Sequence, residues 1–253
     1  MDDITRANIK EMARIINLSR NVVFFGGAGV STESNIPDFR SAKGLFSVKL
    51  KSHFTPEQLV SHTFYKAHPE DFFEFYKDKL IYPEAEPNKA HKALAKLEEA
   101  GKVKAVITQN IDGLHQAAGS KNVFELHGSV KRNYCEECGA FYDEKYIIQS
   151  EGIPVCEKCG GRVKPDVVLY EEPVDPKIFQ RAINYMILAD TLIVGGTSLA
   201  VYPAANLLQY FQGLNLILIN KTPTAADSQA SLIIRESIGT VFEQVMHQLK
   251  MEI

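Results

Sequence analysis

The sequence lacks several features that would each identify a partner or a compartment. It has no long basic run and a formal net charge of −3 over 253 residues. Nucleic acid is therefore not expected as a partner, because binding a phosphate backbone needs clustered Lys and Arg. The longest apolar runs, such as Thr191 to Val201, are too short for a membrane span. The first residues, Met1-Asp2-Asp3, are acidic where a secretory signal is basic. We expect a cytoplasmic protein without a membrane partner.

Cysteine is scarce, and its four residues form two Cys-x-x-Cys pairs separated by seventeen residues: Cys135 with Cys138, and Cys156 with Cys159. Inside a cell this pattern indicates a metal site rather than disulfides. Four thiolates on two such turns match tetrahedral zinc and leave no ligand position open for water. We expect one structural zinc ion per chain, because the charged, glycine-bearing sequence around the cysteines could not form an apolar core alone. A redox dithiol needs only one pair and is the weaker interpretation.

The hydrophobic pattern predicts an α/β fold with a doubly wound parallel sheet. Apolar residues make up 45% of the chain and charged residues 23%, which suits one large domain with a smaller one. Short apolar runs alternate with helical patterns. The predicted strands are 21–25, 104–108, 123–128, 166–170, 191–198 and 214–220, and the predicted helices are 4–18, 88–100, 176–188 and 241–249. The aromatic stretch 41–82, punctuated by Gly and Pro, predicts a mobile loop followed by short helices.

Polar or glycine-rich clusters follow the apolar runs, at 26–40, 108–112, 125–129, 195–198 and 220. Ligands of doubly wound sheets bind outside the carboxyl ends of the strands. We therefore expect one crevice to collect all these clusters.

Individual residues in these clusters leave alternatives open. Gly27-Ala28-Gly29 fits an ordinary tight turn as well as a nucleotide site, because Thr32 stands where a dinucleotide fingerprint has its third glycine. Asp38 and Arg40 could pair with each other, or Arg40 could bind a pyrophosphate. His127 could be a structural residue or a general base, since histidine titrates near neutrality.

Taken together, these residues resemble the sirtuin family of NAD-dependent protein lysine deacylases, in particular its compact bacterial members. The matching segments occur in the family's order and span nearly the whole chain. They are Gly27 to Ser31, Ile36 to Arg40, Thr108 to His115, Glu125 to Gly128, both cysteine pairs, Lys164 to Val168, Gly196 to Leu199 with Pro203-Ala204, and Ile219-Asn220.

The resemblance implies two domains. A Rossmann-type NAD-binding large domain would comprise residues 1–43, 85–132 and 164–253. The smaller domain would combine a cofactor loop and helical insert at 44–84 with a zinc ribbon at 133–163. NAD and an acetyl-lysine peptide would enter the cleft between the domains from opposite sides, and we expect a monomer.

The resemblance also assigns roles to residues. The expected NAD contacts are Ala28, Gly29, Thr32, Phe39, Arg40, Gln109, Ile111, Asp112, His127, Thr197, Ser198, Asn220 and Ile238. Asn110, Ile111 and Asp112 would form the nicotinamide pocket, and the catalytic set would be His127, Asn110 and Asp112. The substrate residues would be Val167, Tyr76 and Lys79, with the peptide added as a strand near 167–169 and 196–199.

The chemistry that the resemblance implies consumes NAD. The acyl oxygen would attack C1′ of the nicotinamide ribose, and His127 would then take a proton from a ribose hydroxyl. The products would be the freed lysine, nicotinamide and O-acetyl-ADP-ribose. The alternatives are a mono-ADP-ribosyltransferase, a deacylase preferring longer or acidic acyl groups, a zinc-ribbon binding module without catalysis, and a dehydrogenase.

Three departures from the family pattern bear on these roles. Asn35 stands where the family usually has glycine, and Asn is the next most tolerated residue if φ is positive there. Leu169 to Glu172 replaces a common Phe-Phe-Gly-Glu-like sequence. Lys79 stands where relatives that remove acidic acyl groups have the Arg of a Tyr-x-x-Arg pair, so weak desuccinylase activity beside deacetylation is our hypothesis.

Overall fold

The computed structural model describes residues 1–39, 44 and 54–253. Its strands are β1 Val22–Gly26, β2 Val103–Thr108, β3 Val123–Glu125, β4 Gly128–Cys135, β5 Phe141–Tyr142, β6 Val163–Val167, β7 Thr191–Gly195, β8 Asn215–Ile219 and β9 Leu232–Ile234. Its α-helices are α1 Asp3–Leu18, α2 Pro56–Leu59, α3 His62–Ala67, α4 Pro69–Lys79, α5 Lys89–Glu99, α6 Leu114–Ala117, α7 Glu144–Gln149, α8 Pro176–Leu188 and α9 Ile238–Gln248. Short 3-10 helices occupy Ala28–Val30, Thr32–Ser34, Ala204–Tyr210 and Asp227–Gln229.

The large sheet has six strands in the order β3-β2-β1-β7-β8-β9, and all its neighbours pair in parallel. Every residue of β1 is buried, as a strand covered on both faces requires. Phe24 packs into a core with helices α1, α5 and α9, whereas Phe25 packs on the opposite face with α8. Helices on both faces of a parallel sheet confirm the predicted doubly wound fold.

Local signals define the ends of the predicted helices. The Asn88 side chain accepts hydrogen bonds from the backbone N–H groups of Ala90 and His91 and so caps α5. Gly101, just beyond that helix, has a φ of 72° and ends it. Pro176 begins α8, where its missing N–H costs no helical hydrogen bond.

The prediction of a strand at 166–170 in the parallel sheet was wrong. The strand there is β6, which pairs antiparallel with β4 in a second, three-stranded sheet of order β5-β4-β6. Burial alternates along β6, with Val163, Pro165 and Val167 buried and the residues between them partly exposed. A strand covered on only one face alternates in this way, while the strands of the large sheet do not.

The smaller domain has its own apolar core. Tyr65, Phe72 and Phe73 of the helical insert pack with Ile147 and Val163 of the ribbon in one cluster. The ring centroids of Phe72 and Phe73 are 5.3 Å apart and meet edge to face. The insert and the ribbon are thus one packed unit beside the large sheet. The predicted boundaries of the domains remain predictions.

Within the part of the chain that the structure describes, every helix is too short or too polar to span a bilayer.

Candidate active site

A cavity of about 550 Å³ opens at the carboxyl ends of β1, β2, β3, β7 and β8. Its size is typical of small-molecule sites. The predicted crevice is therefore confirmed. The predicted site residues on its wall are Ala28, Gly29, Phe39, Lys79, Gln109, Asn110, Ile111, Asp112, His127, Val167, Thr197, Ser198 and Asn220.

Three of the predicted NAD and substrate residues do not line this cavity, and a fourth, Arg40, lies outside the described residues together with most of the predicted mobile loop. Thr32 is exposed, and its hydroxyl donates to the carbonyl of Gly29 at 3.0 Å. Ile238 is buried in the core with α9, because its side chain packs under β7. Tyr76 is fully buried and stacks on Phe72, so it belongs to the core of the smaller domain.

Glycines let two loops of the cavity meet. The N–H of Gly29 donates to the carbonyl of Gly196 at 2.8 Å, and a Cβ on Gly29 would lie 2.8 Å from the Cα of Gly196. Any side chain there would separate the loops. The chain then enters two 3-10 turns rather than a long helix, which explains why Thr32 replaces the third glycine of a dinucleotide fingerprint. Asn35 ends these turns with a φ of 62°, so the expected left-handed residue is confirmed.

Ser31 connects the glycine turn to the loop after β2. Its hydroxyl donates to Oδ2 of Asp112 at 2.6 Å and accepts from Nδ2 of Asn110 at 3.1 Å. The other oxygen of Asp112 accepts from the N–H of Leu114 at 2.9 Å. Asn110 and Asp112 therefore have fixed orientations at the cavity wall. Ser31 lies within the Gly27 to Ser31 segment, but no local pattern in the sequence indicates these two partners.

The ring of His127 is held by a backbone carbonyl. Its Nδ1 lies 3.0 Å from the oxygen of Gln109. A carbonyl only accepts, so Nδ1 carries the proton and Nε2 is left as the basic nitrogen. Burial lowers the pKa of His127, and the hydrogen bond to Gln109 offsets this only in part. The ring is neutral at neutral pH, as a general base must be.

The backbone around His127 links the two sheets. The N–H of Val168 donates to the carbonyl of His127 at 2.9 Å. Gly128 has a φ of 75°, and a Cβ there would overlap the carbonyl oxygen of Asp166. Only glycine fits at this position, so β6 can lie directly against the segment that carries His127.

The loop after β7 is tied to the loop after β2. Nε2 of Gln109 donates to Oγ1 of Thr197 at 3.1 Å, and the same oxygen accepts from the N–H of Leu199 at 3.1 Å. Asn220, after β8, is held by hydrogen bonds from its Nδ2 to Thr222. These polar residues are ordered by the protein itself, which lowers the entropic cost of binding a ligand.

The segment that departs from the family pattern after β6 is stabilised by the helical insert. The N–H of Tyr170 donates to the carbonyl of Val60 at 3.0 Å. Glu171 has a φ of 76°, which is costly for a residue other than glycine. Its carboxylate accepts from both the N–H and the hydroxyl of Thr63, at 2.9 and 2.6 Å. These bonds, which lower the pKa of Glu171, help to hold it in that conformation.

The four cysteine Sγ atoms lie within 4.8 Å of one another. The distances are 3.4 Å for Cys135 with Cys159 and 3.6 Å for Cys138 with Cys156. Four sulfurs around a zinc ion with Zn–S bonds of about 2.3 Å would be about 3.8 Å apart. The hydroxyl of Tyr142 donates to the sulfur of Cys156 at 3.2 Å, as second-shell donors to thiolates do. The cluster therefore fits the predicted tetrahedral zinc site.

Comparisons with known proteins agree with this geometry. The Sir2 family model matches residues 27–203. An NAD-dependent protein deacetylase of Clostridium perfringens (strain 13 / Type A) is 65% identical over 247 residues, covering 97% of this chain and 100% of the relative. An NAD-dependent protein deacetylase of Clostridium tetani (strain Massachusetts / E88) is 58% identical over 246 residues, covering 97% and 98%.

Solved structures give the same result. A Sir2 protein with a p53 peptide and NAD+ has a TM-score of 0.84 and 38% identity, covering 96% of this chain and 98% of its own. A Sir2 variant with a deacetylated p53 peptide and 3′-O-acetyl ADP ribose has a TM-score of 0.88 and 37% identity, covering 96% and 99%. The family model spans more than half of the chain, and the relatives align over nearly all of it. The chain belongs to the Sir2 family.

Proposed function

We propose that this protein is an NAD-dependent protein lysine deacetylase. Its products would be the deacetylated lysine, nicotinamide and O-acetyl-ADP-ribose, and its four cysteines would hold one structural zinc ion. The names of the Clostridium relatives and the NAD+ and peptide in the solved Sir2 structure support this function. The observation that carries the proposal is His127, whose Nδ1 is bonded to the carbonyl of Gln109 and which lies on one cavity wall with Asn110 and Asp112.

The residues on the cavity wall fit NAD as the co-substrate. The glycine turn and the loop after β7 offer backbone atoms with little side-chain bulk, and Gln109, Thr197 and Asn220 offer polar groups. NAD would supply the ADP-ribosyl group that accepts the acyl group. Phe39 lines the same cavity and would cover the nicotinamide ribose, a role that we also propose for Arg40.

The protein's own contribution is positioning and proton transfer. Nε2 of His127 would accept a proton from a ribose hydroxyl of the bound co-substrate. Asp112 and Asn110, fixed by Ser31, would hold the nicotinamide in one orientation. Holding the two reactants in line supplies up to about 7–11 kcal/mol in favourable cases, so these fixed orientations matter more than any single new bond.

The acyl-lysine peptide would add as a strand beside residues 167–169. The N–H groups of Val168 and Tyr170 already bond to His127 and Val60. Residues 167–170 all line the cavity, so this segment borders it along its length. The partners would therefore be proteins that carry acetyl-lysine in exposed, extended segments. We also propose that the enzyme acts as a cytoplasmic monomer, and a dimer in analytical ultracentrifugation would contradict the monomer.

The test is nicotinamide release from NAD, with and without an acetyl-lysine peptide. We expect release by the wild type only with peptide. In His127→Ala, steady-state formation of deacetylated peptide should fall about 100-fold or more, because His127 acts after nicotinamide has left and general bases contribute about 10²–10⁴-fold. His247→Ala, an exposed histidine on α9, is the matched control and should keep full activity. Release without peptide, or formation of deacetylated peptide that is insensitive to His127→Ala, would contradict the proposal.

NAD labelled on its adenylate half separates the two transfer reactions. Label recovered in free O-acetyl-ADP-ribose supports deacetylation. Label attached to protein supports mono-ADP-ribosyl transfer instead, and NADH formation without nicotinamide release would indicate a dehydrogenase.

A further inference from the structure

One end of the cavity extends between the helical insert and the ribbon. We call this end the acyl lobe, and its residues are Lys79, Leu80, Val130 and Glu144. Val130 lies directly behind the pocket residues, because its N–H donates to the carbonyl of Ile111 at 2.9 Å. An acyl chain that passes the pocket of Asn110 to Asp112 would therefore end in this lobe.

Glu144 is the unusual residue of the acyl lobe. It is the first residue of α7, and only 9% of its surface is exposed. Its Oε2 forms an ion pair with Nζ of Lys131 at 2.5 Å, but its Oε1 has no hydrogen-bond partner in the described part of the chain. A buried carboxylate oxygen without a donor is destabilising, and such atoms are rare in folded proteins. Because Glu144 lines the cavity wall, its negative charge lies close to any ligand that enters the acyl lobe.

Two other buried atoms of the smaller domain also have no partner among the described residues. They are the hydroxyl of Tyr76 and Oδ1 of Asn133. Burial raises the pKa of Tyr76, and the charges of Glu144 and Asp166 raise it further, so this hydroxyl stays protonated close to the Glu144 carboxylate. Neither side chain lines the cavity, so of the three residues only Glu144 can act on a ligand, and its negative charge disfavours an anion.

Lys79 does not reverse this preference. It lines the same lobe, but its Nζ is paired with Oδ2 of Asp78 at 2.9 Å. The lysine would have to exchange this carboxylate for that of a ligand, and a lysine gives less directional pairing than the arginine of the Tyr-x-x-Arg pattern.

We propose that Glu144 determines the acyl specificity of this enzyme. It disfavours acyl chains that end in a carboxylate, so that at most the weak desuccinylase activity hypothesised from Lys79 remains, and it accepts uncharged chains of similar length. The first group would bring a second negative charge to a buried carboxylate, whereas the second would not. This inference rests on the proposed deacylase function, because it concerns the substrate of the same cavity.

The experiment uses the full zinc-bound chain and one peptide with three modifications of the same lysine. These are acetyl, succinyl and succinamyl, the last being the uncharged amide of succinyl with nearly the same shape. Peptide binding is measured by fluorescence anisotropy without NAD, and kcat/KM is measured by mass spectrometry of the product peptide. The variants are Glu144→Gln, which keeps the shape and removes the charge, and Glu151→Gln, an exposed glutamate just after α7.

We expect the wild type to prefer succinamyl to succinyl peptide by about tenfold or more, since like charges brought together cost at least 1.4 kcal/mol. Glu144→Gln should reduce this ratio by about tenfold, and Glu151→Gln should leave it unchanged. Equal binding of the two peptides by the wild type, or the same ratio in Glu144→Gln, would overturn the proposal.

Two further results distinguish a failure of the proposed deacylase function from a failure of the role proposed for Glu144. If no peptide is turned over, the proposed deacylase function fails, while the binding ratios still decide the role of Glu144. If Glu144→Gln does not fold, Lys131→Gln replaces it. That variant removes the ion-pair partner of Glu144 and should widen the preference for succinamyl, so an unchanged or narrower preference would contradict the inference.

Discussion

Nδ1 of His127 and the carbonyl oxygen of Gln109 are 3.0 Å apart. The backbone just after β2 therefore fixes the tautomer of His127, which lies just after β3. Burial lowers the pKa of His127 below its ordinary value of 6.5. Only the neutral ring can accept a proton, so kcat/KM for deacetylation should be constant at neutral pH and fall on acidification through a pKa below 6.5. A pH profile of acetyl-peptide turnover tests this, and an acidic limb centred at pH 7 or above would contradict it.

Removing the hydroxyl of Ser31 should disorder the nicotinamide pocket. In Ser31→Ala, Asp112 loses a donor and Asn110 loses an acceptor. Unpaired buried polar groups cost about 1–3 kcal/mol, so we expect kcat/KM for NAD to fall about 10- to 100-fold. Ser231→Ala is the control, because its exposed hydroxyl bonds only to Leu216 at the sheet edge. Equal activities of the two variants would show that Ser31 does not orient the pocket.

Two buried histidines should make the fold sensitive to mild acid. His91 and His115 pack edge to face with ring centroids 4.7 Å apart, and Nε2 of His91 and both nitrogens of His115 have no partner among the described residues. Burial lowers the pKa of His91 to about 4, although Asp112 raises it in part. Burial lowers the pKa of His115 as well, and the charge on His91 would lower it further.

The direction in which the free energy of unfolding changes with pH follows from proton binding. Between the unfolded value of 6.5 and a folded value of about 4, the unfolded chain binds protons that the folded chain does not. The free energy of unfolding should therefore decrease by about 1.4 kcal/mol per histidine for each unit that the pH falls in this range. Urea unfolding from pH 7 to 4.5 measures the slope. His115→Phe should flatten it by about one proton, and His247→Ala should not.

The left-handed residue Asn35 gives a test of backbone strain. Its side chain is exposed, so its conformation rather than its packing decides the effect of substitution. Asn35→Ala should lower the free energy of unfolding by about 1 kcal/mol, while Asn35→Gly should change it by less than about 0.5 kcal/mol. Similar unfolding midpoints for both variants would contradict this explanation.

Removal of the metal should unfold the ribbon before the large sheet. We expect one zinc ion per chain by atomic absorption and less than a tenth of that in Cys138→Ser, because structural sites need all four thiolates. A strong chelator should abolish deacetylation and expose the ribbon to proteolysis. The large sheet has its own cores on both faces, so its protease-resistant fragments should persist. Full activity without zinc would contradict the structural role.

The sequence predicted those parts of the fold that follow from local rules. Asn88 and Gly101 bracket α5 as capping requires, and the fully apolar run of β1 indicates a strand covered on both faces. The short edge strand β9 has only three residues, two of them partly exposed, so its pattern was too weak to detect. In β6, buried Val163, Pro165 and Val167 alternate with partly exposed residues, but such a short alternation does not indicate which sheet the strand joins.

In the candidate active site, too, some features follow from the local sequence and others do not. The cysteine spacing and the polar clusters after the strands depend on sequence order, so they were predictable. The burial of Tyr76 and the partners of Ser31 and Glu144 depend on tertiary packing between distant segments, which no local pattern contains. Motif position alone therefore placed Tyr76 and Ile238 in the site, although both side chains lie in apolar cores.

Strand β4 begins directly after His127 and ends at the metal-binding residue Cys135. One eight-residue strand thus joins the proposed base to the zinc cluster, and it pairs with β6 at Gly128 and Ser129 and again from Asn133 to Cys135. A change in the length of this strand would shift one of the two ends, whereas the exposed turn at Glu151 and Gly152, just after α7, can grow or shrink without moving either. In the evolution of this protein, insertions should therefore be accepted between Glu151 and Gly152 and selected against between Gly128 and Cys135.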